Sequence, residues 1–196
     1  HLGFGLSLDE ALNPPRGITT LSAVDFRHAQ SFGYRIKPLA VARRAEGGVI
    51  AWVGPALVPE THVLSNIGGV YNACFLHSEA LGALLMSGRG AGMMPTAVSV
   101  VGDVIECGRT PVGRAETPTV EATAQLSDVD ALKRSFYLRF SVQDEPGVLG
   151  RIAGSLGQHG VSIERLVQEE QGAEGCAHIV ALTHQVEQSA LKAALQ

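Results

Sequence analysis

The chain has 196 residues, of which 45% are hydrophobic, and a formal net charge of −4 at pH 7. This length suits one large or two small domains, and the apolar share is large enough for a buried core. The acidic balance and the lack of any Lys/Arg block argue against a nucleic-acid-binding surface, and every apolar run is too short to span a membrane.

The spacing of the cysteines and histidines bears on whether the chain has disulfide bonds or a metal site. Cys74, Cys107 and Cys176 stand far apart in apolar contexts, so we expect buried free thiols, neither a disulfide framework nor a zinc site, and a cytoplasmic location. The histidines show no pairing at metal-ligand spacing, so no metal site is predicted. The first five residues show no signal-peptide pattern and resemble the tail of a longer chain.

Residues 19–32 are predicted to form the first helix. Ser22 is a suitable N-cap, and Asp25 three residues later makes a weak variant of the capping box. Gly33 is expected to end this helix.

Four strand-forming runs follow at 34–44, 49–58, 70–77 and 80–86. A Gly-Gly pair at 47–48 predicts a hairpin, which makes the first two strands antiparallel. The pattern indicates an α+β fold with a mostly antiparallel sheet and covering helices. Because Val49, Ala51 and Val53 give one sheet face few charges, we expect helices or a second subunit to cover it.

The stretch from Gly88 to Asp103 combines a glycine turn with a helical pattern. Gly88, Gly90 and Gly92 precede Pro95, which suits the first turn of a helix. Bare backbone at a helix start attracts anions, phosphate above all, although a tight turn of purely structural role is the simpler explanation of the glycines. The G-x-G-x-G spacing is not the dinucleotide-binding fingerprint.

Composition changes after residue 109. Pro, Thr, Glu and Gly dominate residues 110–126 and the periodicity fades, which indicates a linker. From Ser135 the pattern is strand, helix, strand, strand, helix, one strand short of the split βαβ ferredoxin-like unit. We therefore expect a first domain at 1–109, a linker at 110–134 and a second domain at 135–196.

Residues 140–168, FSVQDEPGVLGRIAGSLGQHGVSIERLVQ, resemble the ACT domain, an amino-acid-sensing module of biosynthetic enzymes. The resemblance implies that two such modules pair and that an amino-acid effector binds between them. The candidate effector-binding residues are Asp144, Gly147, Val148 and Leu149. Gly147 opens a helix whose first N–H groups suit a carboxylate, and Asp144 suits either an ammonium group or a capping role.

Three segments of the first unit, at 17–44, 53–76 and 88–105, are similar in order and spacing to the later half of homoserine dehydrogenase. An ACT domain after a linker is also the arrangement of many bacterial members of that family. The resemblance implies an NAD(P)-dependent oxidoreductase, in a homodimer or higher homo-oligomer. Its reaction is the interconversion of aspartate 4-semialdehyde and homoserine, on the route to threonine and methionine.

In that family the Gly-x-Gly-Ala-Gly turn faces the nicotinamide and the substrate. The resemblance therefore makes Gly90, Ala91 and Gly92 the candidate cofactor-binding residues, with NAD and NADP both open. The family's catalytic lysine and substrate-binding carboxylates lie upstream of the segment that matches His1. The resemblance accordingly implies no catalytic residue in this chain.

Some features depart from the family pattern. Arg16 replaces the acidic residue that is usual before Gly-Ile, and the Rossmann strand with its glycine fingerprint is absent. Lys37 and Lys192 are expected in surface or packing roles. The alternative to an oxidoreductase is a non-enzymatic amino-acid-binding regulatory or dimerisation module. In either case the effector that the resemblance suggests is threonine.

Overall fold

The computed structural model describes residues 4, 15–45, 48–109, 124–171 and 176–196. The elements of the first unit are α1 (Ala23–Ser31), β1 (Tyr34–Ala45), β2 (Gly48–Pro59), β3 (Tyr71–Ser78), β4 (Gly82–Arg89) and α2 (Met93–Arg109). Those of the second are β5 (Lys133–Arg134), β6 (Tyr137–Gln143), α3 (Val148–Gln158), β7 (Ile163–Gln171), β8 (Cys176–Thr183), β9 (Val186–Glu187) and α4 (Gln188–Ala194). Short 3₁₀ turns lie at Val63–Asn66 and Val129–Ala131.

Helix α1 begins at the predicted cap. The Ser22 N–H donates to Asp25 Oδ2 at 2.7 Å and the Ser22 hydroxyl donates to the same oxygen at 3.0 Å. The Asp25 side chain thereby closes a capping box. Gly33 follows the helix with φ of +82°, a left-handed conformation that favours glycine. The helix starts later than predicted because residues 18–20 form a turn before the cap.

The four predicted strands of the first unit pair in two antiparallel ladders. β1 and β2 pair along their full length, from Tyr34 opposite Pro59 to Ala45 opposite Gly48, and β3 and β4 do likewise. The predicted α+β class with antiparallel pairing is confirmed. In the described part of the chain the ladders are separate two-stranded sheets, and a 3₁₀ turn and a loop connect β2 to β3.

The charge-poor face of β2 is covered in part by the chain itself. Val49 and Ala51 are buried, whereas Val53 is 44% exposed. The Val49 N–H donates to Gln125 O at 2.9 Å, and the Ser127 N–H donates to Val49 O at 2.8 Å. Residues 125–127 of the predicted linker therefore pair with Val49 along the edge of β2.

The second unit is built on a three-stranded antiparallel sheet with the order β6-β8-β7. Helices α3 and α4 lie on one face of it, where Leu156, Val161, Leu191 and Ala194 form a buried cluster with Leu138 packed against it. The predicted succession of strand, helix, strand, strand and helix is observed as β6, α3, β7, β8 and α4.

The opposite face of this sheet, which we call the outer face, packs against the first unit. Phe32, at the end of α1, forms a buried cluster with Val180 and Leu182 of β8. Tyr137 and Val167, from the two flanking strands, pack against the same cluster. Since side chains alternate between the faces of a strand, both faces of the second unit's sheet are covered, one by its own helices and one by the first unit.

The expectation of buried thiols is wrong for two of the three cysteines. Cys74 lies on β3 and Cys107 on α2, and both are free and exposed, because the apolar residues of these two elements are themselves largely exposed in this chain. The side chain of Cys176 lies outside the described residues. No helix in the described ranges is long and apolar enough to cross a membrane.

Candidate functional site

The glycine turn is the connection between β4 and α2. It consists of Gly90, Ala91 and Gly92. The Gly90 N–H donates to Val70 O at 2.8 Å, which ties the turn to the start of β3. Pro95 lies in the first turn of α2, as predicted. The turn is therefore fixed at one end by the β3–β4 ladder and at the other by the helix.

Two glycines of this region are required by conformation or packing. Gly92 has φ of +117°, which a residue with a side chain rarely adopts. A Cβ on Gly90 would overlap the side-chain amide of Asn72, a residue that lies opposite Gly88 in the ladder. A Cβ on Gly88 itself would meet open space. Asn72 is thus a second reason for a bare backbone at Gly90, and no sequence motif indicated it.

Helix α2 presents its first turn and an apolar face to the surroundings. No described residue of the helix is buried, and Val101, Val104 and Ile105 are 56%, 66% and 48% exposed. The Thr96 N–H donates to Gly92 O at 3.1 Å. A side-chain-poor turn followed by the N-terminus of a helix is an arrangement that binds anionic groups through backbone N–H groups.

The second candidate site is the turn between β6 and α3. Gly147 is the N-cap of α3 with φ of +88°, Val148 is buried and Leu149 is partly exposed. An open depression of about 450 Å³ lies here, lined by the end of β6, the turn itself and residues Gln168 and Ile179 of the neighbouring strands. The four predicted effector-binding residues all line this depression.

Asp144 does not cap α3. Its Oδ1 accepts a hydrogen bond from Gln168 Nε2 at 3.2 Å, and the first-turn N–H of Val148 instead donates to Glu145 O at 3.3 Å. The capping role suggested for Asp144 is therefore wrong. Its carboxylate faces the depression, where it can accept from an ammonium group.

Asp25 is a buried carboxylate whose wider role the sequence pattern did not reveal. It is 2% exposed, and besides closing the cap of α1 its Oδ1 accepts from the Tyr137 hydroxyl at 2.9 Å and from Arg139 Nε at 2.8 Å. Both partners belong to β6. Because they lie more than a hundred positions away along the chain, no local motif could have indicated them.

The protonation state of the Asp25 cluster follows from its surroundings. Burial opposes ionisation of Asp25, but hydrogen bonds from Ser22 and Tyr137 and the charge of Arg139 outweigh burial and hold the pKa of its carboxyl below the ordinary value. Burial, and then the hydrogen bond to Asp25, raise the pKa of the Tyr137 phenol above its usual range. At neutral pH the cluster therefore holds an ionised acceptor and a protonated donor.

Lys37 and Lys192 have the structural roles expected of them. Lys37 Nζ donates to Ile67 O, in the loop before β3, and Lys192 Nζ pairs with Asp130 Oδ2 at 2.5 Å. Among the described residues, no group of three or more His, Cys, Asp or Glu side chains is placed to hold a metal ion.

Comparison with known families agrees with both sequence resemblances. The family model of homoserine dehydrogenase matches residues 1–105, and that of the ACT domain matches residues 136–196. The first match alone covers more than half of the chain.

The chain belongs to the homoserine dehydrogenase family.

Relatives in this family are similar along nearly the whole chain. The homoserine dehydrogenase of Pseudomonas aeruginosa is 36% identical over 194 residues, which cover 94% of this chain and 45% of that protein. That of Synechocystis sp. is 37% identical over an alignment of 207 positions, which covers 100% of this chain and 48% of that protein. The chain spans about half the length of the curated relatives it matches.

Solved structures of the family share the fold. A crystal structure of a homoserine dehydrogenase from Thiobacillus denitrificans superimposes with a TM-score of 0.72 at 34% identity, over 91% of this chain and 42% of that one. A homoserine dehydrogenase from S. aureus, solved at pH 6.5, superimposes with a TM-score of 0.54 at 22% identity, and at that identity it supports the fold alone.

Proposed function

We propose that this chain is part of an NAD(P)-dependent homoserine dehydrogenase that interconverts L-aspartate 4-semialdehyde and L-homoserine in threonine and methionine biosynthesis. The observation that carries the proposal is the match of residues 1–105 to the family, within which the glycine turn joins a strand to the N-terminus of a helix. We also propose that this enzyme is cytoplasmic and forms a homodimer or a higher homo-oligomer.

The proposed role of the glycine turn is to contact the nicotinamide side of the cofactor. When bound, the dinucleotide, NAD or NADP, supplies or accepts the hydride. Gly90, Ala91 and Gly92 would contact it through their backbone, since the lack of bulky side chains allows a close approach. The first-turn N–H groups of α2 would favour negative charge beside the turn.

The groups that transfer protons and hold the substrate are proposed to lie outside these 196 residues. Lys37 and Lys192 have structural partners, as expected for surface or packing roles. We therefore expect the 196-residue chain alone to show no oxidation of NADPH with aspartate semialdehyde, and the full-length protein to be active. Turnover by the isolated chain would contradict this assignment.

The second unit is proposed to bind an amino-acid effector, with threonine as the specific candidate. Asp144 would accept the ammonium group, and the N–H groups at the start of α3 would meet the carboxylate. A pair of ACT units, one from each subunit, would enclose the ligand. Calorimetry of the full-length protein against threonine, isoleucine, methionine and lysine tests the assignment, and no binding of threonine at millimolar concentration would reject it.

The alternative function is a non-enzymatic amino-acid-binding regulatory or dimerisation module. The depression of about 450 Å³ at the ACT turn is expected under both functions. The two functions differ at the glycine turn, which serves only folding in the alternative.

A substitution at Gly92 separates the two functions. In the full-length protein, Gly92→Val should sharply raise the nucleotide KM or lower kcat if the turn contacts the cofactor. The matched control is Gly157→Val, at an exposed position of α3 where a side chain meets open space, and we expect it to leave both constants unchanged. A Gly92→Val enzyme that is less stable but kinetically normal would support the alternative.

A further inference from the structure

The outer face of the β6-β8-β7 sheet makes a set of polar contacts with α1, which we call the junction. Three side chains of the sheet contribute besides Tyr137: Arg139, Arg165 and Glu169. Arg165 Nη1 donates to Phe32 O at 2.9 Å, and Glu169 Oε2 lies 3.3 Å from His28 Nε2. With the two hydrogen bonds to Asp25, these contacts lie along α1 from its first turn to its end.

Asp25 is shared between the two units. The same carboxylate closes the capping box of α1 through Ser22 and accepts from Tyr137 and Arg139 of β6. A charge-assisted hydrogen bond to a carboxylate that is shielded from water is strong and directional. Any displacement of β6 therefore acts on the N-terminus of α1.

The effector turn and the junction share strands β6 and β7. β6 carries Tyr137 and Arg139 and runs directly into the turn that holds Asp144. On β7, Gln168 bonds Asp144 at the depression, while the next residue, Glu169, faces His28 at the junction. Neighbouring residues of a strand point to opposite faces, so one backbone segment contacts the effector turn on one side and α1 on the other.

Helix α1 is in turn tied to the β1–β2 ladder. Phe32 at its end is buried with Val180 and Leu182, and Gly33 O accepts from the Glu60 N–H at 3.0 Å, just beyond the end of β2. A shift of α1 therefore acts on both strands of that ladder at its first residue pair, because β1 begins one residue after Gly33.

We propose that the junction is the contact through which an amino acid bound at the Asp144–Leu149 turn alters the catalytic unit, with Asp25 as the residue on which the coupling depends. This rests on the proposed function, because it assumes an effector at that turn and catalysis in the parent protein. Allosteric coupling requires that ligand binding bias an element shared with the other site. The β6–α1 contact is such an element.

The first test uses the full-length enzyme with L-threonine as the probe. Arg139→Gln and Tyr137→Phe weaken the junction from the β6 side and leave the cap of α1 intact, while Asp25→Asn weakens it from the other side. We expect basal kcat and KM, and the calorimetric Kd for threonine, to match the parent, while threonine inhibition at saturation weakens by about fivefold or more. Inhibition equal to that of the parent in all three variants would overturn the proposal.

The matched control is Glu60→Gln, which removes only the side-chain ion pair with Arg35 at 3.5 Å and keeps the Glu60 backbone N–H that donates to Gly33 O. It should leave inhibition unchanged. The double variant Asp25→Asn with Arg139→Gln should lose no more inhibition than either single variant, because both act on one contact. Additive losses would indicate general loosening and would contradict the proposal.

A second readout needs no effector and separates failure of the coupling from failure of the assigned effector. If calorimetry shows no threonine binding, the proposed effector is wrong. Hydrogen exchange of the full-length protein on heating then tests whether α1 and β6 are coupled through the junction. We expect α1 and β6 to lose protection together in the parent and at different temperatures in Tyr137→Phe. Joint loss in the variant would overturn the junction as a coupling contact.

Discussion

At the scale of single residues, the space around Gly90 shows how packing limits a turn. The position needs glycine because a Cβ would overlap the Asn72 amide, whereas Gly92 needs it because φ is +117°. The first requirement depends on a neighbour and the second on the backbone. Only the first can be relieved by a second substitution.

We expect Gly90→Ala in the full-length protein to lower stability by on the order of 1 kcal/mol and to raise the nucleotide KM, because Asn72 must move. Gly88→Ala, which meets open space, is the control and should have little effect on KM. Adding Asn72→Ala to Gly90→Ala should restore the nucleotide KM. Thermal unfolding and steady-state kinetics measure both effects, and a double variant as impaired as Gly90→Ala would show that Asn72 is not the cause.

The Asp25 carboxylate gives a pH dependence with a definite sign. Its pKa is lower in the folded chain than the ordinary value, so its stabilising contribution is present above the unfolded-state pKa of about 3.9. The contribution is lost as the pH falls through the folded-state pKa. Arg139, Tyr137 and Ser22 are the groups that hold the carboxylate ionised.

Asp25→Asn should therefore be less stable than the parent at pH 7, by on the order of 2 kcal/mol because the charge of Arg139 loses its partner. The gap should shrink as the pH falls below about 4. Chemical denaturation of both proteins at a series of pH values measures it. A gap that stays constant into the acid range would contradict the ionised carboxylate as its source.

At the scale of elements, α3 contrasts two kinds of glycine. Gly147 caps the helix in a left-handed conformation at φ of +88°. Gly150, an exposed helical residue, has open space around its Cα. The first is required by backbone geometry, and the second lowers helix stability without any packing reason.

Gly147→Ala should lower the stability of α3 by about 1 kcal/mol, because the left-handed conformation strains a residue with a side chain. Gly150→Ala should raise it by about 0.5–1 kcal/mol. Hydrogen exchange of the α3 amides in the full-length protein measures both. The prediction is wrong if the two substitutions change protection in the same direction.

How far the elements could be predicted from sequence depended on how local their causes are. The cap of α1, the β1–β2 pairing and the start of α3 follow from neighbouring residues such as Ser22 and Gly147, and they are confirmed. The placement of residues 124–127 against β2 depends on hydrogen bonds to Val49, far away in the chain. No local composition rule indicates such a contact.

The residues of the candidate sites also differ in how far the local sequence predicts them. The Asp144–Leu149 turn was predicted as one continuous motif, and the structure places a depression there. Asn72 and Asp25 were not recognised as members of a site, because their partners come from other elements. The exposure of Cys74 was missed for a related reason, since an apolar pattern does not show which chain covers it.

At the scale of the whole molecule, the exposed apolar residues are concentrated on β3, β4 and α2. Leu76, Leu84 and Met86 are each close to half exposed, and four valines of α2 are more than half exposed. Exposed apolar patches of this kind are characteristic of surfaces that other protein segments cover.

We expect the 196-residue chain expressed alone to self-associate through these residues. Val101→Lys combined with Val104→Lys should reduce the apparent mass measured by light scattering. Val53→Lys, at an exposed residue of β2 outside the patch, is the control and should change it less. Equal masses for the parent and the double variant would show that α2 does not contribute.

The covering of both sheet faces in the second unit has a practical consequence for protein engineering. Residues 136–196, transplanted onto an unrelated catalytic subunit, would carry the effector turn with them but would leave Tyr137, Arg139 and Glu169 facing solvent beside apolar Val180 and Leu182. A working chimera would have to include a helix equivalent to α1, with an acidic residue in its first turn, as part of the transplanted cassette.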